Sequence, residues 1–128
     1  MDKIKIAVDF DGTCVVHDYP YIGEEAPDCI RVLKRLIKDD VLIILNTMRS
    51  GKELQEAVDW LTERGIDLYG INEDPDQKTW TDSPKVYANL YIDDASVGCH
   101  KKFIVGMTGG VVDWNWVEEE IYKRSMMF

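Results

Sequence analysis

The chain is poor in several things, and each scarcity excludes a class of protein. Cysteine is rare and odd in number: Cys14, Cys29 and Cys99 stand far apart, with no Cys-x-x-Cys pair and with only His17 and His100 as histidines. A disulfide framework and a structural zinc site therefore drop out, and each cysteine is expected as a buried thiol in a reducing compartment. Long apolar runs are missing, and nothing approaches the roughly 20 residues that span a bilayer. From Lys3 the chain passes through a short apolar run into acidic residues, without the apolar core and small-residue cleavage site of a secretory signal. A cytoplasmic protein with no membrane partner is expected. Basic residues are also in deficit. Fifteen Lys and Arg against 24 Asp and Glu give a net charge of −9, which argues against nucleic acid as a partner and is compatible with a divalent cation.

What is present reads as one ordered domain. A chain of 128 residues that is 45% hydrophobic and 30% charged can bury one core, with little left for a second module. Residues 1–128 are accordingly expected to form a single domain. Lys3 to Val8 is a short apolar-rich run that ends at Asp9 and suits a buried strand. Pro27 suits a first helical turn, after which Cys29, Val32, Leu33 and Leu36 make one apolar face. Val41 to Leu45 is a continuous apolar strand, and Ser50 with Glu53 has the spacing of a capping box. Leu54, Ala57, Val58 and Leu61 repeat the helical stripe, and Gly65 is suited to end it.

Leu68 to Ile71 predicts a third strand, 72–84 a loop with a helical turn, and Leu90 to Ile92 a fourth strand. Phe103 to Val105 predicts another, followed by a loop through Gly106 to Gly110. Asp113 is placed to cap a last helix in which Trp114, Val117 and Ile121 share a face. Glu119–Lys123 and Glu120–Arg124 are spaced to pair across one turn. Strand–helix alternation of this kind predicts an α/β fold: a three-layer, Rossmann-like domain with a parallel central sheet and helices on both faces.

Asp9, Thr47 and Asp93 each stand just after a predicted strand. In a parallel sheet the carboxyl ends of the strands line one edge, where ligands bind. Three separate segments thus deliver carboxylates and a hydroxyl to one edge. The sharpest signal is Asp9-Phe10-Asp11-Gly12-Thr13, in which a two-residue step carries both carboxylates out of a strand and Gly12 permits a tight turn. Two close carboxylates repel, and they call for a metal, a shared proton or a cationic neighbour.

This string resembles the first motif of the haloacid dehalogenase-like hydrolase superfamily, and the resemblance extends over most of the chain. Asn46-Thr47 is similar to the second motif, whose hydroxyl binds a phosphoryl group. Pro84-Lys85 is similar to the third, a lysine that neutralises charge, with Lys78 as the substitute if Lys85 faces away. Tyr91-Ile92-Asp93-Asp94 is similar to the fourth, the acidic pair of a magnesium site.

The resemblance implies a magnesium-dependent phosphatase. Asp9 would attack phosphorus to form an aspartyl-phosphate, and Asp11 would serve as general acid and then base. Mg2+ would be held by Asp9, the Asp11 carbonyl and Asp93, with Asp94 supporting Asp93 or holding Lys85. Thr47, Lys85 and the backbone N–H groups around Gly12 and Met48 would grip the phosphoryl oxygens. An Asp at position 11 favours phosphate monoesters over carbon–halogen substrates.

The stretches from Thr13 to Pro27 and from Thr47 to Lys85 are too short for a folded cap, so an open, capless site is expected. A phosphorylated substrate of unknown identity is implied, and a second copy of the chain could cover the site. His17, Asp18, Tyr19 and Tyr21 either touch substrate or face solvent. Arg49 either grips an anionic leaving group or forms an ordinary salt bridge, and Trp80 is the one tryptophan in a polar loop.

Two other classes compete. A receiver-type phospho-accepting domain has its adjacent acidic pair near the N-terminus, whereas here the adjacent pair comes late. An idle module that binds metal or a phosphorylated ligand would keep the same residues without turnover. Transfer of the phosphoryl group to an acceptor other than water would use the same residues too.

Overall fold

The computed structural model describes residues 2–106 and 109–123. Four short strands form one parallel sheet: β1 (Lys5–Val8), β2 (Leu42–Leu45), β3 (Leu68–Ile71) and β4 (Leu90–Ile92). Their order is β3-β2-β1-β4. Val8 lies level with Leu45 on one side and Ile92 on the other, so β1 is central and the three strands end together. The chain leaves β1 for β2 on one side, and β4 returns to its other side. The strand order therefore reverses at β1, which makes its carboxyl end the switch point where ligands bind in open α/β sheets.

Three helices cover one face of the sheet: α1 (Cys29–Lys38), α2 (Gly51–Glu63) and α3 (Trp114–Lys123). The periodicity is realised directly. Cys29, Val32, Leu33 and Leu36 of α1 are fully buried, as are Ala57 and Leu61 of α2 and Trp114, Val117 and Ile121 of α3. They pack in one cluster with Ile6, Val8, Ile43, Leu45 and Ile92. Each fully buried Leu or Val contributes about 1.5–3 kcal/mol from removal of its apolar surface from water. Gly65 ends α2 with φ 83°, and Ile66 N–H reaches back to the Leu61 carbonyl.

Side chains alternate along a strand, so Lys5, Ala7, Leu42 and Ile44 point to the other face. That face is covered by residues 72–88, in which the helical content is one 3-10 turn at Gln77–Thr79. Gln77 staples this cover, with Nε2 donating to the Ser83 and Lys85 carbonyls and Oε1 accepting from Tyr87 N–H.

Several local expectations need correction. Pro27 precedes α1, whose start is set by Asp28 at φ 68°. Ser50 precedes α2 but makes no side-chain cap bond, so the Ser50–Glu53 box does not close. The late strand spans Lys101–Phe103 (β5), earlier than Phe103 to Val105. It pairs antiparallel with β6 (Gly110–Val112), a strand that the glycine-rich sequence concealed. Asp113 does cap α3, accepting from Asn115 and Trp116 N–H at 3.1 and 3.2 Å. Lys123 pairs with Glu120 rather than Glu119, and Arg124 lies outside the described residues. Cys14 and Cys29 are buried thiols and Cys99 is half-buried. No helix among the described residues is long and apolar enough to cross a membrane.

Candidate active site

At the carboxyl ends of β1 and β4, Asp9, Asp93 and Asp94 bring carboxylate oxygens within 4.8 Å of one another. They line an open cleft of about 550 Å³ together with Asp11, His17, Tyr19, Thr47, Met48, Arg49 and Ala95. The strand ends explain the meeting. Asp9 N–H bonds the Ile92 carbonyl and Asn46 N–H bonds the Val8 carbonyl, so the first residues beyond three strands emerge side by side.

Thr13 holds the centre. Its hydroxyl donates to Asp9 Oδ2 at 2.8 Å and accepts from Asp94 N–H at 3.1 Å, tying the end of β1 to the end of β4. It is fully buried, and its carbonyl accepts from Trp114 Nε1 of α3 at 2.8 Å. Gly12 is needed for space. Its φ is 81°, and a Cβ built there would lie 2.3 Å from Asp94 Oδ2. Gly12 N–H donates to the Val15 carbonyl at 2.8 Å, so the expected phosphate-binding role of Gly12 gives way to a steric one.

Burial pushes the Asp9 carboxyl up to about 8; the Thr13 hydroxyl opposes this, while the contact with Asp94 and the charges of Asp93 and Asp94 add to it. Carboxylates this close relieve their repulsion by sharing a proton or by taking a divalent cation. A set made only of carboxylate oxygens suits a hard ion such as Mg2+ better than a thiophilic metal. Asp94 belongs to this set on equal terms with Asp93. It faces Asp9, and does not hold Lys85 as one expectation had it.

Arg49 resolves its two readings. It is 2% exposed, and its Nε and Nη2 grip Asp11 Oδ2 and Oδ1, both at 2.8 Å. Nη1 donates to the Pro20 and Glu53 carbonyls, and Nη2 also donates to the Tyr21 carbonyl. A guanidinium has five N–H donors, and here every one has a protein acceptor. Arg49 is thus a buried clamp on Asp11 and on the loop through Tyr19, and it has no donor left for a ligand. Thr47 Oγ1 accepts from Arg49 N–H at 3.1 Å, which leaves its own hydrogen free to donate into the cleft.

Met48 lines the cleft with a side chain that is almost wholly exposed, at 98%. Lys85 does not line it. Lys85 is exposed, with its ammonium 5.3 Å from the centre of the Tyr91 ring, and Lys78 lines a separate cleft with Asn72, Glu73 and Asp82. Trp80 lies away from the site too, edge-on to Tyr87 at 5.5 Å. Sequence reasoning assigned Thr13 no role, although its place in the motif was on view; the signal was a hydroxyl four residues after Asp9.

The fold and site define a parallel α/β domain with an acidic centre at its switch point. No family model matches the chain, and no curated protein does. The solved structure of a conserved protein from Bacteroides thetaiotaomicron is similar to it, with a TM-score of 0.80 and 38% identity over 96% of this chain and 93% of that one. The chain belongs to the same family as that conserved protein.

Proposed function

We propose that this protein is a magnesium-dependent phosphatase of the haloacid dehalogenase-like type, working in the cytoplasm on phosphate monoesters. The observation that carries the reading is the convergence of Asp9, Asp93 and Asp94 within 4.8 Å at the switch point. Thr47 stands beside them in the same cleft. Asp9, Asp93 and Asp94 would hold the ion, with the Asp11 carbonyl as the family pattern implies. Bound there, magnesium supplies positive charge that offsets the repulsion between a carboxylate and a phosphate.

The chain's own residues account for the rest. Thr13 fixes Asp9 Oδ2, which leaves Oδ1 to form a bond to phosphorus as the ester P–O bond breaks. The Thr47 hydroxyl donates to a phosphoryl oxygen. Asp11 protonates the departing oxygen, then takes a proton from the water that frees Asp9. The Arg49 clamp suits the second task as it stands, and the first requires one of its two contacts to Asp11 to open.

A binding module without turnover is the second reading. Two observations favour it: Lys85 lies outside the cleft lining, and both Asp11 oxygens are already held. Phosphate release from a panel of monoesters, with magnesium or with EDTA, separates the two. Magnesium-dependent release that Asp9→Asn abolishes supports the phosphatase. Release that ignores both metal and Asp9 would sink it.

A further inference from the structure

The cleft carries information about the leaving group, and this rests on the phosphatase reading. Its lining contains the carboxylates of Asp9, Asp11, Asp93 and Asp94 and one guanidinium, Arg49. Arg49 cancels Asp11 and has no free donor. A divalent ion would offset two of the remaining three carboxylates. The phosphoryl group then adds its own negative charge, so the loaded cleft stays anionic. Lys85 and Lys78, the lysines that sequence placed here, do not line it. Among the described residues, His17, at the exposed rim, is the one other lining side chain able to carry positive charge. A second phosphate or a carboxylate on the leaving group would meet repulsion without a partner, which is how sites reject the wrong ligand.

The rim is of another kind. Tyr19 is 52% exposed and Met48 98% exposed, and both line the cleft. Arg49 lies 5.2 Å from the centre of the Tyr19 ring and fixes its position by cation–π attraction, while its donors bind the carbonyls of Pro20 and Tyr21, the two residues that follow. A π face and a flexible thioether lining one cleft favour a flat apolar group, through ring–ring and sulfur–ring contacts. We infer that the substrate is a phosphate monoester whose leaving group is uncharged and carries a planar ring that packs on Tyr19 and Met48 at the cleft rim.

Non-hydrolysable phosphonates test this by binding, separately from turnover. Calorimetric titration of the magnesium-loaded protein compares benzylphosphonate, 4-carboxybenzylphosphonate and ethylphosphonate. The benzyl compound is expected to bind about tenfold tighter than either of the others. Tyr19→Ala should shrink the benzyl-to-ethyl ratio towards one. Met48→Lys, at a position too exposed to threaten folding, should lift the 4-carboxy compound relative to the benzyl one. His17→Asn should leave the penalty on the carboxylate in place. Equal or tighter binding of the 4-carboxy compound, or a benzyl compound no better than ethyl, overturns the assignment, as does failure of all three to bind. Phosphate release sensitive to Asp9→Asn, measured alongside, tells whether the phosphatase reading survives such a failure.

Discussion

Two clefts on opposite sides of the molecule each hold a largely enclosed cation, and they differ in how its charge is matched. On the sheet face away from the helices, Lys5 bonds Asp74 at 2.9 Å and Asp76 at 3.3 Å, with side chains 13% exposed for Lys5 and 1% for Asp74. Tyr69 hydroxyl bonds Asp76, and the rings of Tyr69 and Tyr87 lie 5.4 and 5.8 Å from the ammonium. Burial alone would lower the Lys5 pKa, but its bonds to Asp74 and Asp76 hold it above the ordinary value. That cleft, about 700 Å³, is larger than the one at Asp9, about 550 Å³. Size therefore does not select the candidate site. Near Lys5 the charge is answered locally. Near Asp9, Arg49 answers Asp11 and the three other carboxylates remain for something outside the chain. Half-buried carboxylates without a cation of their own are what single out the second cleft as the candidate site.

The largest test of this contrast is Asp9→Asn. Loss of the proposed nucleophile is expected to lower phosphate release by at least about 10³-fold. The same change removes a crowded carboxyl, so the melting temperature of the metal-free protein at pH 8 should hold or rise. A fall in stability with activity intact would break the contrast outright.

Next come the two partly buried pairs. Lys5→Met and Arg49→Met each leave a carboxylate without its partner and are expected to cost about 3–5 kcal/mol in urea unfolding. Replacing the stranded partner as well should recover much of that loss in Lys5→Met/Asp74→Leu, and less of it in Arg49→Met/Asp11→Leu, where the Pro20, Tyr21 and Glu53 carbonyls still lack the donors of Arg49. Turnover separates the pairs. The Lys5/Asp74 double variant should cleave esters at the wild-type rate, and the Arg49/Asp11 one should not.

A smaller effect follows from the raised pKa of Asp9. Unfolded, its carboxyl titrates near pH 4, as aspartates do; folded, it titrates at about 8. Between these values the folded state binds more protons than the unfolded state, so the metal-free protein should lose stability as pH rises from about 4 to about 8. Magnesium should flatten this slope and release protons on binding. Thermal melts across pH, with and without magnesium and in Asp9→Asn, check the sign. A slope unchanged by Asp9→Asn would assign it to other groups.

The smallest is steric. Gly12→Ala drives a Cβ against Asp94 and strains a positive φ, so about 1–3 kcal/mol of stability should go, with weaker magnesium affinity by titration.

Much of this was legible in the chain because its signals are local. Periodicity over Cys29, Val32, Leu33 and Leu36 names a buried face without reference to anything distant, and Leu68–Ile71 and Leu90–Ile92 were bounded correctly by their apolar runs. The strand β6 was hidden because Gly110 carries no propensity for a strand, and its pairing with Lys101–Phe103 supplies the order instead.

By itself, the sequence determined the order of the four parallel strands and three helices and which carboxylates and hydroxyl stand at strand ends, since both follow from spacing along the chain. Tertiary structure alone decided which cation serves the site, what Thr13 and Gly12 do, and that Lys85 stays out of the cleft lining. Those outcomes rest on contacts between residues far apart in sequence: 38 positions for Arg49 and Asp11, 81 for Asp94 and Thr13, 101 for Trp114 and Thr13. A side chain's donors go to the nearest acceptors in space, and packing of the whole chain sets which those are.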